Sequence, residues 1–458
     1  MHTALKPALL AAAIATGFFA AQASHAEAPP APVAQQRSLQ AFSAIELSGP
    51  YEVVVRAQGP QAVTLSGERK LLDQVETFVR GDTLVVRPVQ RNGFHFSWGK
   101  RRDTVVIHIS AGQLKSLKMS GSGDVDLSQL AGERFSVSVD GPGDLQASGA
   151  VRELAVRASG SGDLDLQRVK AAKVELNMSG PGDVRLSGVG DTLAATIGGS
   201  GDLEADALRL ARLDARLSGP GGMKLSGSAR ELRAEISGSG DFDACALAAE
   251  AASTVQSGPG NACVAGTLKR FDAEVNGSGE LQASGLQAAS AVVRLGGPGN
   301  ATLSGSVGEL SADVSGSGDL EGGGLQVRRA TVRARGPGGV ELARVSDTLD
   351  AELHGSGGLN AGIEGKRLLL KLRGPGSAHI DGKVDLVKAQ LSGSGGLDGR
   401  RLTAGRAEIA VTGPATAAVN VSGQDERRSE RKAERERARK DERTQLLLVD
   451  RNGSRSGQ

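Results

Sequence analysis

A Gly-Ser-Gly or Gly-Pro-Gly tripeptide recurs through most of this chain, beginning at Gly121, Gly141, Gly160, Gly180, Gly199, Gly219, Gly238, Gly258, Gly277, Gly297, Gly316, Gly336, Gly355, Gly374 and Gly393. A worn copy follows at Gly413-Pro414-Ala415. Ser and Pro alternate without a miss. Spacing alternates with them: 20 residues follow each Ser-type turn and 19 each Pro-type turn, except for the 19 from Gly355 to Gly374. A fixed period of this length marks a repeat architecture, in which each unit contacts only its neighbours. The sequence repeats as a pair of 39 residues, and the structural unit is half of that.

The apolar positions say what the unit is. From Gly160 they are Leu164, Leu166, Val169, Val174, Leu176 and Met178; from Gly180 they are Val184, Leu186, Val189, Leu193, Ala195 and Ile197. Both halves present six inward positions, and the extra residue of the longer half falls in the bend between the third and the fourth. Alternation of period two means strands, because successive side chains point to opposite faces. Two such strands cannot bury their apolar face alone. Stacked coils can, and the expected fold is all-β: a right-handed parallel β-solenoid of about sixteen coils. At a strand spacing of roughly 4.8 Å it forms a rod about 75 Å long. With nine Phe, one Trp and one Tyr against 65 Gly, the column must be slim and aliphatic. Gly at each corner implies positive φ or close stacking of one turn on the next, and Pro fixes φ where its missing N–H is not needed. The coil from Gly238 breaks phase. Thr254 and Gln256 fall at inward positions while Ala251 and Val255 fall one step away, which predicts a local bulge.

The remaining segments divide the chain. Residues 1–26 read as a secretory signal peptide, with Lys6 before an apolar stretch and Ser24-His25-Ala26 before the cut. Residues 27–40 read as a flexible leader, 41–118 as a strand-rich N-terminal cap, 119–423 as the solenoid and 424–458 as a charged tail. Within the cap, Arg69 to Val79 is expected to be a short amphipathic helix with Leu71, Leu72, Val75 and Val79 on one side. No later window is long and apolar enough for a membrane span, and the product is expected in the periplasm or at the cell surface. With 54 basic and 52 acidic residues, the charge gives no argument for nucleic acid.

Three groups of residues carry candidate chemistry. The residue after the turn is Asp at 124, 144, 163, 183, 202, 241 and 319, so that Asp124, Asp144, Asp163, Asp183 and Asp202 form a ladder that could ligate Ca²⁺ or cap backbone N–H groups. The second reading is the stronger, since the ladder lapses to Gly222, Asn261, Glu280 and Asn300. The second group is Phe94, Phe96 and Trp98 followed by Lys100, Arg101 and Arg102, either a ligand-contacting face or a lid over the first coil. The third is Cys245 and Cys263, which sit on adjacent coils two residues out of register. That places their α-carbons roughly 8 Å apart in an ideal stack, beyond disulfide reach unless the local slip corrects it. Pairing stays open. No catalytic cluster and no cofactor motif stands out, because carboxylates that repeat in every coil are architecture first. A polysaccharide-acting enzyme and a structural envelope protein are the rival readings, and the ligand and oligomeric state are not legible.

The opening Phe42-Ser43-Ala44-Ile45-Glu46-Leu47-Ser48-Gly49, the run Leu71-Leu72-Asp73-Gln74-Val75 and the entry Leu114 to Asp124 resemble the head GIN domain family of auto-transporter adhesins. The resemblance covers roughly residues 40–420 and implies a β-helix similar in shape to pectin lyases, with adhesion as the role and no catalytic residues. The expectation is an exported, non-catalytic solenoid that contacts a glycan or protein of the cell envelope.

Overall fold

The computed structural model describes residues 33–89 and 105–422. Each turn from Gly121 onward is followed by one long strand run, such as Leu145–Ala158 and Leu164–Met178. In the coil from Gly180 this run is split into Val184–Ser187 and Thr192–Ile197. Every run pairs in parallel with the coil before it and the coil after it. Leu164 stands opposite Leu145 and Val184, and Met178 opposite Ala158 and Ile197. The inward residues of all coils thus merge into one buried aliphatic column. Each buried Leu or Val adds about 1.5–3 kcal/mol, which is how a chain with so few aromatics holds together.

The extra residue of the longer coils sits one step earlier than the apolar pattern suggests. Gln146 pairs with Asp165 but Ser148 with Arg168, so the bulge lies between Leu166 and Val169. The first strand ends there, and the chain turns into the second.

The corner glycines are required by stacking. Gly162 donates its N–H to the Gly141 carbonyl at 3.3 Å, and a Cβ on Gly160 would overlap the carbonyl oxygen of Gly141. Among the turns from Gly121 onward, positive φ enters only late, at Gly374, Gly393 and Gly413.

Opposite charges meet across neighbouring coils beyond the first strand. Arg134 meets Glu153 at 2.6 Å, Arg216 meets Glu235 at 3.5 Å and Arg329 meets Glu309 at 3.0 Å. In these three the base lies on a Ser-type coil and the acid on a Pro-type coil, while Arg152–Glu133 at 3.4 Å and Lys269–Glu250 at 2.9 Å run the other way. Exposed pairs of this kind add little individually, but alternation keeps like charges from stacking.

Two expectations are corrected. No bulge shields Thr254 and Gln256: Ala252, Thr254 and Gln256 pair in unbroken register with Leu232, Ala234 and Ile236, and both polar side chains are buried. Ladders on both sides hold this strand in phase, so the polar groups go inside. Gln256 Nε2 donates to the Gly260 carbonyl, while Gln256 Oε1 and Thr254 Oγ1 have no partner. The helix expected over Arg69–Val79 is confined to Arg69–Leu72. Val75–Arg80 instead forms an antiparallel hairpin with Thr83–Pro88 around Gly81 at φ +65°. Val75, Thr77, Phe78 and Val79 are strand formers, and the hairpin edge gives them a partner.

At the N-terminal end, Ala44–Leu47 and Glu52–Arg56 already belong to the stack. They pair in parallel with Ser116–Met119 and with Val125–Val139, and Gly123 donates to the Gly49 carbonyl at 3.2 Å. The corner Gly49-Pro50-Tyr51 is therefore a turn of the same kind that the tripeptide pattern does not reveal. Beyond it, Val33–Arg37, Ala62–Gly67 and Val106–Ser110 close the column, the first two through antiparallel pairing, so that this part of the expected flexible leader is a strand held by the edge of Ala62–Gly67.

Candidate functional site

The first-strand side carries the turn carboxylates. Asp144 donates its N–H to Asp124 Oδ1 at 3.1 Å, Asp163 to Asp144 at 2.8 Å, Asp183 to Asp163 at 3.0 Å, and Asp202 to Asp183 at 2.9 Å. Gly222 continues the chain on Asp202 at 2.7 Å. One oxygen of each carboxylate is thus occupied by the main chain of the next coil, and the other is left for solvent. Where Asp becomes Asn the bond persists, as from Glu280 to Asn261 Oδ1 at 3.0 Å and from Asp319 to Asn300 Oδ1 at 2.9 Å. A neutral acceptor is enough, which marks the inner oxygen as a cap on the N–H at the start of each strand.

A second acidic row, absent from the sequence-based candidates, runs beside the first. Asp126, Asp165, Glu204 and Asp243 stand two residues after the turn carboxylates, on the same face of their strands by period two. That period was the signal that could have found them. Between Gly121 and Gly258 the chain holds 20 acidic and 13 basic residues, against 16 and 17 from Pro259 to Ser422. Open grooves follow these rows. One of about 620 Å³ is lined by Asp183, Asp202, Glu204, Asp241 and Asp243, with Arg185 and Lys224 among them. Another of about 390 Å³ lies over Glu52, Asp124, Asp126, Asp144, Asp163 and Asp165.

Cys245 and Cys263 are joined in a disulfide, with Cα atoms 5.3 Å apart. The ideal-stack distance of roughly 8 Å is corrected by the bend. Asp243 is the register partner of Cys263, but the ladder breaks after Ala244 and resumes only at Ala248, so Cys245 leaves the strand line and swings toward the next coil. Asp243 Oδ1 accepts the Cys245 N–H at 3.1 Å and steadies this excursion. Asp243, Cys245 and Cys263 bring their ligand atoms within 4.8 Å of one another. With the sulfurs bonded to each other, the thiolates that metal binding needs are consumed. Phe94, Phe96, Trp98, Lys100, Arg101 and Arg102 lie outside the described residues.

Among the described residues, shifted ionisation comes from local pairs and, at Tyr51, from burial. Arg400, donating from its side chain at 2.6 Å and from its N–H, with His379 beside it, holds the Asp398 carboxyl far below the usual carboxylate range. The Arg134 guanidinium lowers Glu153, and Arg329 lowers Asp347. Burial pushes the Tyr51 phenol, set against the Gly49 corner, up to about 12. These groups are spread over separate coils, and among the described residues no acid, base and nucleophile converge in one pocket. No described helix is long and apolar enough to cross a membrane.

Among solved structures, a putative lipid binding protein of Parabacteroides distasonis is 15% identical, with 85% of this chain and 97% of that chain covered and a TM-score of 0.22. A putative adhesin of Bacteroides fragilis is 17% identical over 63% of this chain and 96% of its own, with a TM-score of 0.24. One from Parabacteroides merdae is 12% identical over 85% and 96%, with a TM-score of 0.21. No curated protein matches. The family model described as "putative auto-transporter adhesin, head GIN domain" matches residues 41–225, 189–267, 228–303, 265–361 and 346–425 in overlapping copies. On that coverage, nearly the whole stacked region, the chain belongs to the head GIN domain family.

Proposed function

We propose that this chain is an exported, non-catalytic adhesin whose stacked coils present a repeating polar surface to a polymer of the cell envelope. The supporting observation is the double acidic row with its open grooves. Turn carboxylates recur coil after coil, and the second row recurs on alternate coils with Gln146, Arg185 and Lys224 between its members, so a polymer with its own repeat, such as a glycan strand, can be held at many weak points at once. Multivalency of this kind reaches useful avidity without any single strong pocket. Catalysis asks for the opposite arrangement: one cluster differing from its neighbours, with acids of unequal character. Here the turn carboxylates share one environment and one hydrogen-bond pattern. Export follows from the reading of residues 1–26, and the Cys245–Cys263 bond suits an oxidising compartment.

Protease treatment of intact cells, joined to sedimentation of the purified chain with isolated envelopes, tests this. Cleavage on intact cells and co-sedimentation that weakens when Asp126, Asp165, Glu204 and Asp243 are all changed to Ser are expected. Full protection in intact cells together with no envelope binding would overturn the proposal.

A further inference from the structure

One position of the repeat is broken in three successive coils. The residue immediately before each turn is Ser, Gly, Asn or Asp from Ser120 through Ser315, and Ser392 and Thr412 return to that small polar type. Between them it is Arg335, His354 and Arg373. Corners held by stacking have no use for a long cation, so a departure confined to neighbouring coils points to a local task rather than to architecture.

The same three corners lose their acids. The residue after the turn is Gly339, Gly358 and Ser377, where most earlier coils carry Asp or Asn. In those coils the side-chain oxygen accepts an N–H of the following coil, as Asp163 does from Asp183 at 3.0 Å. Gly339 and Gly358 have no side chain to offer the N–H of Gly358 and Ser377. Backbone donors that elsewhere take an oxyanion therefore lie across the turns from cations.

The cations stand close enough to act together. Arg333, Glu352 and Lys371 are register partners on adjacent coils. Arg335, His354 and Arg373 follow them in the same order, at a strand spacing of roughly 4.8 Å. Arg333, Arg335, Glu352 and His354 line a cavity of about 160 Å³. Two acids engage these side chains: Asp313 is 3.3 Å from Arg335, and Glu352 is 3.0 Å from His354. Asp350 and Lys388, farther from the turn on the same face, offset each other. Arg333, Arg335, Lys371 and Arg373 outnumber Asp313 and Glu352, so positive charge is in excess. The bond from His354, with Lys371 and Arg373 beyond it, holds the Glu352 carboxyl below its usual range. A carboxylate offers two oxygens and is engaged fully by one guanidinium fork, whereas a phosphate ester offers three and can be shared by two.

We infer that the corners at Arg335, His354 and Arg373 bind a phosphate group, gripped by the two guanidinium forks on either side of the imidazole. The site uses none of the carboxylate rows, and it stands or falls apart from the envelope reading above.

Calorimetric titration of the full-length protein with inorganic phosphate at constant ionic strength tests this. One saturable site is expected. Arg335→Gln with Arg373→Gln weakens phosphate by about tenfold or more, and because both side chains are exposed the melting temperature without phosphate stays that of the parent. Arg157→Gln with Arg216→Gln removes exposed cations from the same face of earlier coils and leaves phosphate affinity within about twofold. Two further probes give the source of the group. Phosphatidylglycerol vesicles that sediment the parent and not the Arg335 and Arg373 variant would support the site and make it a lipid headgroup. Displacement of inorganic phosphate by poly(glycerol phosphate), without vesicle binding, would support it and make it a polymer. Absence of saturable phosphate binding by the parent overturns the inference. So does an equal loss in the Arg157 and Arg216 variant, since binding would then follow net charge alone.

Discussion

The coils before Gly258 and those after it share a column and differ in their corners. In the earlier group the residue after the turn is Asp at 124, 144, 163, 183, 202 and 241, lapsing to Gly at 222, and the coil after each Asp gives its N–H to that carboxylate. In the later group the position passes through Asn261, Glu280, Asn300 and Asp319 to Gly339, Gly358, Ser377 and Gly396. The last such bond runs from Gly339 to Asp319 at 2.6 Å. Soon afterwards the turn glycines become left-handed, with φ +136° at Gly374 and +116° at Gly393. Inward Leu, Val and Ala continue through both groups unchanged. The comparison separates what the fold needs, which is a bare corner and an apolar row, from what it can replace, which is the acceptor.

The largest effect is expected where the corner itself is altered. Gly160→Ala in the early group drives a Cβ into the Gly141 carbonyl, and strain of this kind costs about 3 kcal/mol or more. Gly358→Ala in the late group meets nothing nearer than the Ser377 carbonyl oxygen at 3.8 Å and should stay within about 0.5 kcal/mol of the parent. Thermal melts of the two variants decide. Equal melting temperatures would break the claim that stacking excludes a side chain at Gly160.

A smaller change of opposite sign is expected at the seam between the groups. Thr254→Val removes a buried hydroxyl without a partner and should stabilise the protein by about 1–2 kcal/mol. Denaturant unfolding measures it, and a loss of stability would mean that the Thr254 hydroxyl has a hydrogen-bond partner in solution.

Smallest is the ladder itself. Asp163→Ala removes the acceptor of the Asp183 N–H and should cost about 1 kcal/mol, while Asp163→Asn keeps an acceptor and should cost less than half of that. If Asn were as damaging as Ala, the charge would matter more than the hydrogen bond. A rise in melting temperature on adding calcium would then identify a bound cation as the reason.

Much of this architecture was legible because the two signals are local and repeated. The tripeptide marks every corner from Gly121 to Gly393, and the apolar alternation of Leu164, Leu166, Val174, Leu176 and Met178 marks every inward row. What escaped was non-repeating. The corner at Gly49 carries Tyr51 in place of the second Gly, and its coil is interrupted by residues 57–115, so no period advertises it. The strand Val75–Arg80 was mistaken for helix because Leu71, Leu72, Val75 and Val79 fit both patterns, and only the partner Thr83–Pro88 chooses between them. For the candidate site, the turn carboxylates could be placed from spacing alone. Their bonding could not, because the donor to each oxygen lies 19 or 20 residues away.

By itself the sequence determined the coil, its length and the identity of its buried side, since these depend on residue order within a single repeat. Tertiary structure decided everything that depends on the contact of one coil with the next. It kept Thr254 and Gln256 inside, because two flanking ladders outweigh a buried amide and a hydroxyl. It brought Cys245 to Cys263, because a bend displaces a residue by more than strand register allows. It turned the ladder into a set of backbone caps, because only stacking puts an N–H beneath each carboxylate.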